Sequence, residues 1–130
     1  MNLRTIWNEI LTELMDRFDM PQVSKDDMPE AFKILKDNGI GVGMKTVLPK
    51  NLKHSQKQVN KQKVQSIVKD IQSGKKMPPM VISNDGWIVD GHHRQLAYIA
   101  IDPEGSKNVV MIDLPRDKAI AAYKWVENAV

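Results

Sequence analysis

The sequence predicts an α+β fold in one globular domain, preceded by an N-terminal helical hairpin. The chain has 130 residues, of which 42% are apolar and 27% are charged, as in ordinary proteins that bury a core without disulfide bonds. Segments with apolar residues at helical spacing are interspersed with short apolar runs that glycine, proline, asparagine or aspartate residues bound. This pattern indicates helices mixed with strands.

Residues 1–40 are expected to form the helical extension, and residues 41–130 the main domain as one compact unit. The first helix is predicted from apolar residues at three- and four-residue spacing, namely Leu3, Ile6, Trp7, Ile10, Leu11, Leu14, Met15 and Phe18. Pro21 ends it. Ser24, with Asp27 three residues later, is typical of the start of a second helix, which an Asn-Gly pair ends.

The first helix has two interpretations that the sequence leaves open. It covers one face of the main domain, or it binds a partner. In the second case the helix around Trp7 is the surface for a homodimer.

Composition excludes several classes of protein. The chain has no cysteine, so disulfides, thiolate metal sites and cysteine nucleophiles are absent. No apolar run is long enough for a membrane span. Glu9, Glu13 and Asp16 interrupt the N-terminal apolar pattern, so it is not a secretory leader. We expect a cytoplasmic protein without membrane contact.

The main domain begins with a connection, a strand and a basic helix. The Gly-Ile-Gly-Val-Gly run after the hairpin lacks the spacing of a dinucleotide or P-loop motif, so we interpret it as a flexible connection. A short strand follows from Lys45 to Pro49. Ser55 and Gln58 have the spacing of a capping box. The helix itself is predicted from Val64, Ile67, Val68 and Ile71.

The basic residues are concentrated in one block. Nine lysines and a single acid, Asp70, lie between Lys45 and Lys76. A solvated basic face is the default explanation, and contact with nucleic acid is the alternative. No aromatic residue is interleaved with these lysines, so a platform for stacking single-stranded bases is not indicated.

The second half of the domain is predicted to form a hairpin, a helix, a strand and a second helix. Two apolar runs, residues 80–83 and 87–89, flank an Asn-Asp-Gly turn, which indicates a β-hairpin. Apolar residues at 96–100 predict the next helix. A buried strand at 109–112 and a closing helix after Pro115 complete the domain.

The junction of the second hairpin strand with its helix carries the most distinctive chemistry. A helix that begins at Gly91 exposes unpaired N–H groups at an end that favours anions, and a glycine lets a phosphate approach closely. Arg94, one turn on, can fold back and contact the same anion through its forked guanidinium. His92 and His93 add titratable donors. We predict a phosphate site here.

Asp90, at the end of the strand, has three candidate roles. It is a helix N-cap, a base or a magnesium ligand. Asp90 with His92 and His93 also resembles a metal cluster, but adjacent histidines on a helix point about 100° apart and rarely share one ion. The sequence therefore favours an anion site over a transition-metal site.

These motifs together resemble the ParB/sulfiredoxin superfamily, also called the ParB-like nuclease domain, over about residues 45 to 113. The matching residues are Leu48-Pro49, Gly74, Pro78-Pro79-Met80-Val81-Ile82, Asp85-Gly86-Trp87-Ile88-Val89-Asp90-Gly91-His92-His93-Arg94 and Ala97. The resemblance implies a small mixed sheet surrounded by helices. It also implies that Gly91, His92, His93 and Arg94 hold the phosphates of a nucleotide.

The sequence departs from the pattern of the superfamily at several positions, and these departures reduce the number of activities that the resemblance implies. Sulfiredoxins carry a reactive cysteine where this chain has His92, so their activity is excluded. About 17 residues follow Asp113, too few for the DNA-binding and dimerisation regions of partition proteins. The box is most similar to that of free-serine kinases, which use a glutamate after the first strand. Between Val47 and Asn60 this chain has no acid, and Gln56 lies near that position as a candidate nucleotide-binding residue.

The sequence therefore predicts a nucleotide-binding protein that takes a nucleoside triphosphate or diphosphate, such as ATP or CTP, with Mg²⁺. If it hydrolyses or transfers a phosphoryl group, Asp90 orients the acceptor or holds Mg²⁺, and His92 or His93 stabilises charge. One alternative is a DNA-associated nuclease or binding module that uses the Lys45–Lys76 block. The other is a non-catalytic interaction domain. The sequence does not decide whether the chain is an enzyme. If it is one, a phosphotransferase, a nucleotidase and a nuclease are the candidates.

Overall fold

The structure is a computed structural model that describes residues 20–54 and 59–130. The predicted first helix, from Leu3 to Phe18, lies outside the described residues, and so do Ser55, Gln56 and Gln58. The hairpin that this helix was expected to form is therefore not described.

The described residues form an α+β fold of four helices and four strands. The helices are α1 (Met28–Asp37), α2 (Lys61–Gln72), α3 (His92–Ile101) and α4 (Arg116–Glu127). The strands are β1 (Val42–Val47), β2 (Val81–Ser83), β3 (Ile88–Asp90) and β4 (Lys107–Ile112), and a 3₁₀ turn covers Pro49–Asn51. No helix in residues 20–54 and 59–130 is long and apolar enough to cross a membrane.

The four strands make one mixed sheet in the order β1-β4-β2-β3. β4 pairs antiparallel with β1 and parallel with β2, and β2 and β3 form the predicted antiparallel hairpin. The hairpin turn contains Gly86 with φ of 84°, a conformation that glycine adopts without strain. The helix α3 connects β3 to β4, so the candidate phosphate site lies at the start of that connection.

Two groups of buried apolar residues stabilise the fold. The larger one joins α1 and α4 to the sheet and includes Ala31, Leu35, Tyr123 and Val126. The smaller one includes Leu52, Met80, Ile82, Ile88 and Val109, with Tyr98 of α3 packed against it. Residues 23–40 thus contribute to the same core as the sheet, because the apolar stripe of α1 packs on α4.

Two expected element boundaries were wrong. The glycine-rich run was expected to be a connection, but β1 begins at Val42 and includes Gly43, because pairing with β4 orders this part of the chain. The basic helix begins at Lys61, and its N-cap is Asn60, whose side chain accepts a hydrogen bond from the Lys63 N–H. The Ser55 and Gln58 pair, which was expected to be the capping box, lies outside the described residues.

Candidate functional site

A pocket of about 330 Å³ opens at the junction of β3 and α3. Three parts of the chain surround it: an extended segment of residues 20–24, the first two turns of α2, and the start of α3. The residues that line it are Met20, Pro21, Gln22, Val23, Ser24, Lys63, Ile67, Asp90, Gly91, His92, His93 and Arg94. All five residues of the predicted anion motif, Asp90 to Arg94, thus lie on one pocket wall.

Gly91 forms the turn from β3 into α3. Its φ of 106° lies in the left-handed region, and no side chain caps the helix that follows. A β-carbon at this position would lie 2.8 Å from Met80 Cγ and 2.9 Å from Arg94 Nη2. The position therefore requires glycine, and the N–H groups of the first turn of α3 have no side-chain acceptor within the described part of the chain.

Arg94 folds back over this turn. Its Nη2 donates a hydrogen bond to the Pro79 carbonyl at 3.2 Å and lies 3.7 Å from Asp90 Oδ1. Its Nε is buried and has no hydrogen-bond partner among the described residues. The guanidinium is thus held in position by two neighbours, and its buried Nε–H has no acceptor among the described residues.

Asp90 does not cap α3, contrary to one of its expected roles. Its Oδ2 accepts a hydrogen bond from the Val23 N–H at 3.3 Å, because strand pairing of β3 directs the side chain toward the 20–24 segment. The Tyr123 hydroxyl is close enough to influence the carboxyl, yet it makes no well-formed hydrogen bond with the residues that the structure describes. Burial raises the pKa of Asp90, and the positive charge of Arg94 opposes that rise.

His92 is buried, with 4% of its surface exposed. Its Nε2 atom has no hydrogen-bond partner among the described residues. The ring meets that of His54 edge to face, with centroids 4.7 Å apart and planes at 88°. Burial, and to a smaller extent the neighbouring His54, His93 and Arg94, together lower the pKa of His92 to about 3. His92 is therefore neutral in the free protein near pH 7.

His54 and Gln95 were not identified from the sequence. Gln95 Nε2 donates to the carbonyls of Pro49 at 2.9 Å and Leu52 at 3.0 Å, and Gln95 Oε1 lies 3.1 Å from His54 Nδ1. This buried amide attaches the segment after β1 to α3 and holds the His54 ring against His92. Gln95 directly follows the motif, whereas His54 lies far before it in the chain, and no local spacing relates His54 to the motif.

His93 connects the two helices that meet at the pocket. Its Nε2 accepts a hydrogen bond from the Asn60 N–H at 3.2 Å, directly before α2 begins. Burial lowers the pKa of His93, and the positive charge of Lys63 contributes in the same direction. This contact brings Lys63, one turn into α2, to the pocket beside the start of α3.

The basic block does not act as one patch of free charges. Lys50 pairs with Glu104 and Lys75 with Asp70, and the Lys53 ammonium donates to a backbone carbonyl in the hairpin turn. Lys61 and Lys69 remain exposed on α2. Among the lysines of the block that the structure describes, Lys63 lines the candidate site.

Gln56, the remaining candidate nucleotide-binding residue, lies outside the described residues. Within residues 20–54 and 59–130, no three or more histidine, aspartate or glutamate side chains are grouped so that they could hold a metal ion. Comparison with known proteins gives no relative: no family model, no curated protein and no solved structure matches the chain.

Proposed function

We propose that the pocket at the junction of β3 and α3 binds the phosphate groups of a nucleotide. The observation that carries this proposal is the Arg94 guanidinium, which is held over Gly91 with its Nε–H unpartnered. A buried donor without an acceptor costs free energy, on the order of 1–3 kcal/mol, which an anion at this position recovers.

The charges around the pocket support an anionic ligand. Lys63 and Arg94 contribute two positive charges, and the first turn of α3 adds unpaired N–H groups. The one carboxylate among the described lining residues, Asp90, has a raised pKa and faces the Val23 N–H and Arg94. The electrostatic balance thus favours phosphate over a cationic ligand.

The other side of the pocket suits the apolar face of a nucleoside. Met20, Pro21, Val23 and Ile67 line it, and the volume of about 330 Å³ falls at the lower end of the range for small-molecule sites. The likeness of the Asp-Gly-His-His-Arg motif to the nucleotide-binding box of the ParB/sulfiredoxin superfamily agrees with this ligand class.

Binding has more support than turnover. Phosphoryl transfer or hydrolysis needs a group that positions or deprotonates the acceptor. Asp90 is the carboxylate among the described lining residues, but the Val23 N–H donates to its Oδ2 and the Arg94 guanidinium pairs with its Oδ1. The buried neutral His92 is a weak base, since its pKa is about 3. We therefore propose nucleotide binding as the function, and we assign Asp90 the positioning of Arg94 and no metal-binding role.

Calorimetric titration of ATP, ADP and CTP into the protein, with and without Mg²⁺, tests this proposal. We expect saturable binding of at least one nucleotide. Arg94→Ala should weaken it about tenfold or more, because hydrogen bonds to charged groups contribute about 1.5–3 kcal/mol. Arg94→Lys should recover only part of the loss, because an ammonium keeps the charge without the forked geometry.

Arg116→Ala is the matched control. Arg116 lies at the start of α4 with its guanidinium 4.6 Å from the Trp87 ring, and it does not line the pocket. Its replacement removes the same charge and should leave nucleotide affinity within about twofold. Absence of binding by the wild type, or equal losses in the two variants, contradicts the proposed function.

A further inference from the structure

The three histidines of the chain gather beside the proposed phosphate site. His92 and His93 line the pocket, and His54 packs edge to face against His92 from behind. Two of their ring nitrogens, His54 Nε2 and His92 Nε2, are buried without a hydrogen-bond partner among the described residues. Buried polar atoms are normally paired, so two orphans in adjoining rings require an explanation.

The hydrogen bonds of Gln95 fix the tautomer of His54. Both N–H groups of the Gln95 amide are used, because Nε2 donates to the carbonyls of Pro49 and Leu52. Gln95 Oε1 can only accept, so the His54 Nδ1 that lies 3.1 Å from it carries a hydrogen. In a neutral ring the other nitrogen is then an acceptor, and His54 Nε2 presents a lone pair without a donor.

His92 is in a comparable state. A hydrogen bond with the Ile88 backbone favours the protonated form of the His92 ring. Burial has a larger effect in the opposite direction and lowers the pKa of His92 to about 3. The neutral ring therefore leaves Nε2 unpartnered as well. The free protein thus holds two adjoining imidazole rings, each with a buried Nε2 atom that has no hydrogen-bond partner among the described residues.

Positive charge disfavours protonation of His92 and His93. After burial, His54, His93 and Arg94 lower the pKa of His92. Lys63 on α2, with His54 and Arg94, lowers the pKa of His93. On the β3 side the group that faces the pocket is Asp90, whose raised pKa limits the negative charge it supplies. A bound dianion offsets these positive charges and so favours protonation of the neighbouring rings.

We propose that the site binds its phosphate ligand together with one proton, which the His54–His92 pair takes up. This inference rests on the proposed function, since it needs an anion at Gly91 and Arg94. Binding and protonation are reciprocal, so the affinity rises as the pH falls, by up to about tenfold per pH unit for one proton. The protein is then a phosphate binder whose occupancy follows pH.

The probe for this inference is inorganic sulfate, because its charge stays at −2 through the range in which phosphate esters and imidazoles titrate. Calorimetry of sulfate binding between about pH 5.5 and 8, in buffers of different ionisation enthalpy, counts the protons taken up. We expect proton uptake that increases as the pH falls, because the His92 ring starts from a pKa of about 3, and NMR signals of the His54 and His92 rings that move toward the imidazolium form when sulfate is added at the lower pH values.

Variants locate the proton. The double change His54→Gln and His92→Gln should abolish both the proton uptake and the pH dependence of sulfate affinity. His93→Gln and Asp90→Asn should keep the pH dependence, whatever they do to the affinity itself, because the inference assigns the proton to neither residue. If the double variant does not fold, as judged by circular dichroism, the ring signals of the wild type decide the question.

Two results separate this inference from the proposed function. Sulfate affinity that Arg94→Ala reduces, but that is independent of pH with no proton uptake, overturns the inference and leaves the phosphate site intact. Uptake that disappears in His93→Gln or Asp90→Asn also overturns it, because the proton then resides elsewhere. Absence of sulfate and nucleotide binding at every pH tested contradicts the proposed function itself.

Discussion

The Arg94 guanidinium lies against the bare α-carbon of Gly91. A β-carbon there would be 2.9 Å from Arg94 Nη2 and 3.1 Å from Nε. The left-handed conformation of Gly91 turns the chain sharply into α3, so the side chain one turn later returns over the turn itself. Glycine and arginine are thus required together: the first provides the space that the guanidinium of the second occupies.

Gly91→Ala should therefore destabilise the fold by about 3 kcal/mol, from backbone strain at positive φ and from overlap with buried neighbours. Met80, whose Cγ would be 2.8 Å from the new methyl group, is 1% exposed and cannot move aside freely. The measurement is the free energy of unfolding in urea. Phosphate affinity should fall as well, because Arg94 must leave its position.

Gly74→Ala is the matched control for this substitution. Gly74 follows α2 with φ of 87°, and no atom of residues 20–54 or 59–130 lies within 4 Å of an added β-carbon. Its replacement should cost only the backbone strain, about 1 kcal/mol. Similar losses at Gly74 and Gly91 would show that the contact with Arg94 and Met80 does not matter.

Most of the fold could be predicted because each element has a local signal. The β2–β3 hairpin follows from two apolar runs around a turn, and the helices α2 and α4 follow from apolar residues at three- and four-residue spacing. Boundaries could not be predicted where tertiary contacts decide them. Gly43 belongs to a strand because β4 pairs with it. The N-cap of α2 is Asn60, whose N–H donates to His93 Nε2, a contact that the sequence does not reveal.

The site divides in the same way. Asp90 to Arg94 are contiguous, so a strand followed by a helix was enough to gather them. The groups that contact these residues are distant in sequence. The Val23 N–H, which donates to Asp90, is 67 residues away from it, and His54, which contacts Gln95 beside the motif, is 41 residues away from Gln95. No periodicity or spacing links such pairs, because only the packing of the finished fold brings them together.

Gln95→Leu should destabilise the fold by about 1–3 kcal/mol. Leucine has a similar size, but it leaves the buried Leu52 carbonyl without a donor among the described residues and leaves the Pro49 carbonyl with the Leu52 N–H alone, and an unsatisfied buried group costs about 1–3 kcal/mol in the absence of water. Urea unfolding measures the loss. Gln65→Leu, at an exposed position of α2, makes the same chemical change and should stay within about 0.5 kcal/mol of the wild type. A small effect at Gln95 would mean that water replaces its amide.

Tyr123→Phe should be nearly neutral, within about 1 kcal/mol, although Tyr123 is fully buried. The hydroxyl has no well-formed hydrogen bond among the described residues, so its removal relieves an unsatisfied polar group while the ring keeps its contact with Phe32. Tyr123→Ala, which leaves a cavity in the core, should lower the free energy of unfolding by about 3–5 kcal/mol. A loss above about 1.5 kcal/mol in Tyr123→Phe would establish that the hydroxyl does bind Asp90 in solution.

The buried His92 should make stability depend on pH below neutrality. Burial lowers its pKa from 6.5 to about 3, so between these values the unfolded chain binds more protons than the folded protein. The free energy of unfolding therefore falls as the pH drops, by about 2 kcal/mol between about pH 7 and pH 5 from this residue. Burial raises the pKa of Asp90, so its contribution is lost as the pH rises and has the opposite sign.

Urea unfolding of the wild type and His92→Gln at about pH 5, 6 and 7 separates the two contributions. Glutamine does not titrate, so the variant should lose about 2 kcal/mol less than the wild type over this range. Asp90→Asn removes the opposing contribution, so its stability should fall at least as steeply as that of the wild type when the pH drops. Parallel curves for the wild type and His92→Gln would mean that His92 is solvated and titrates normally in the folded protein.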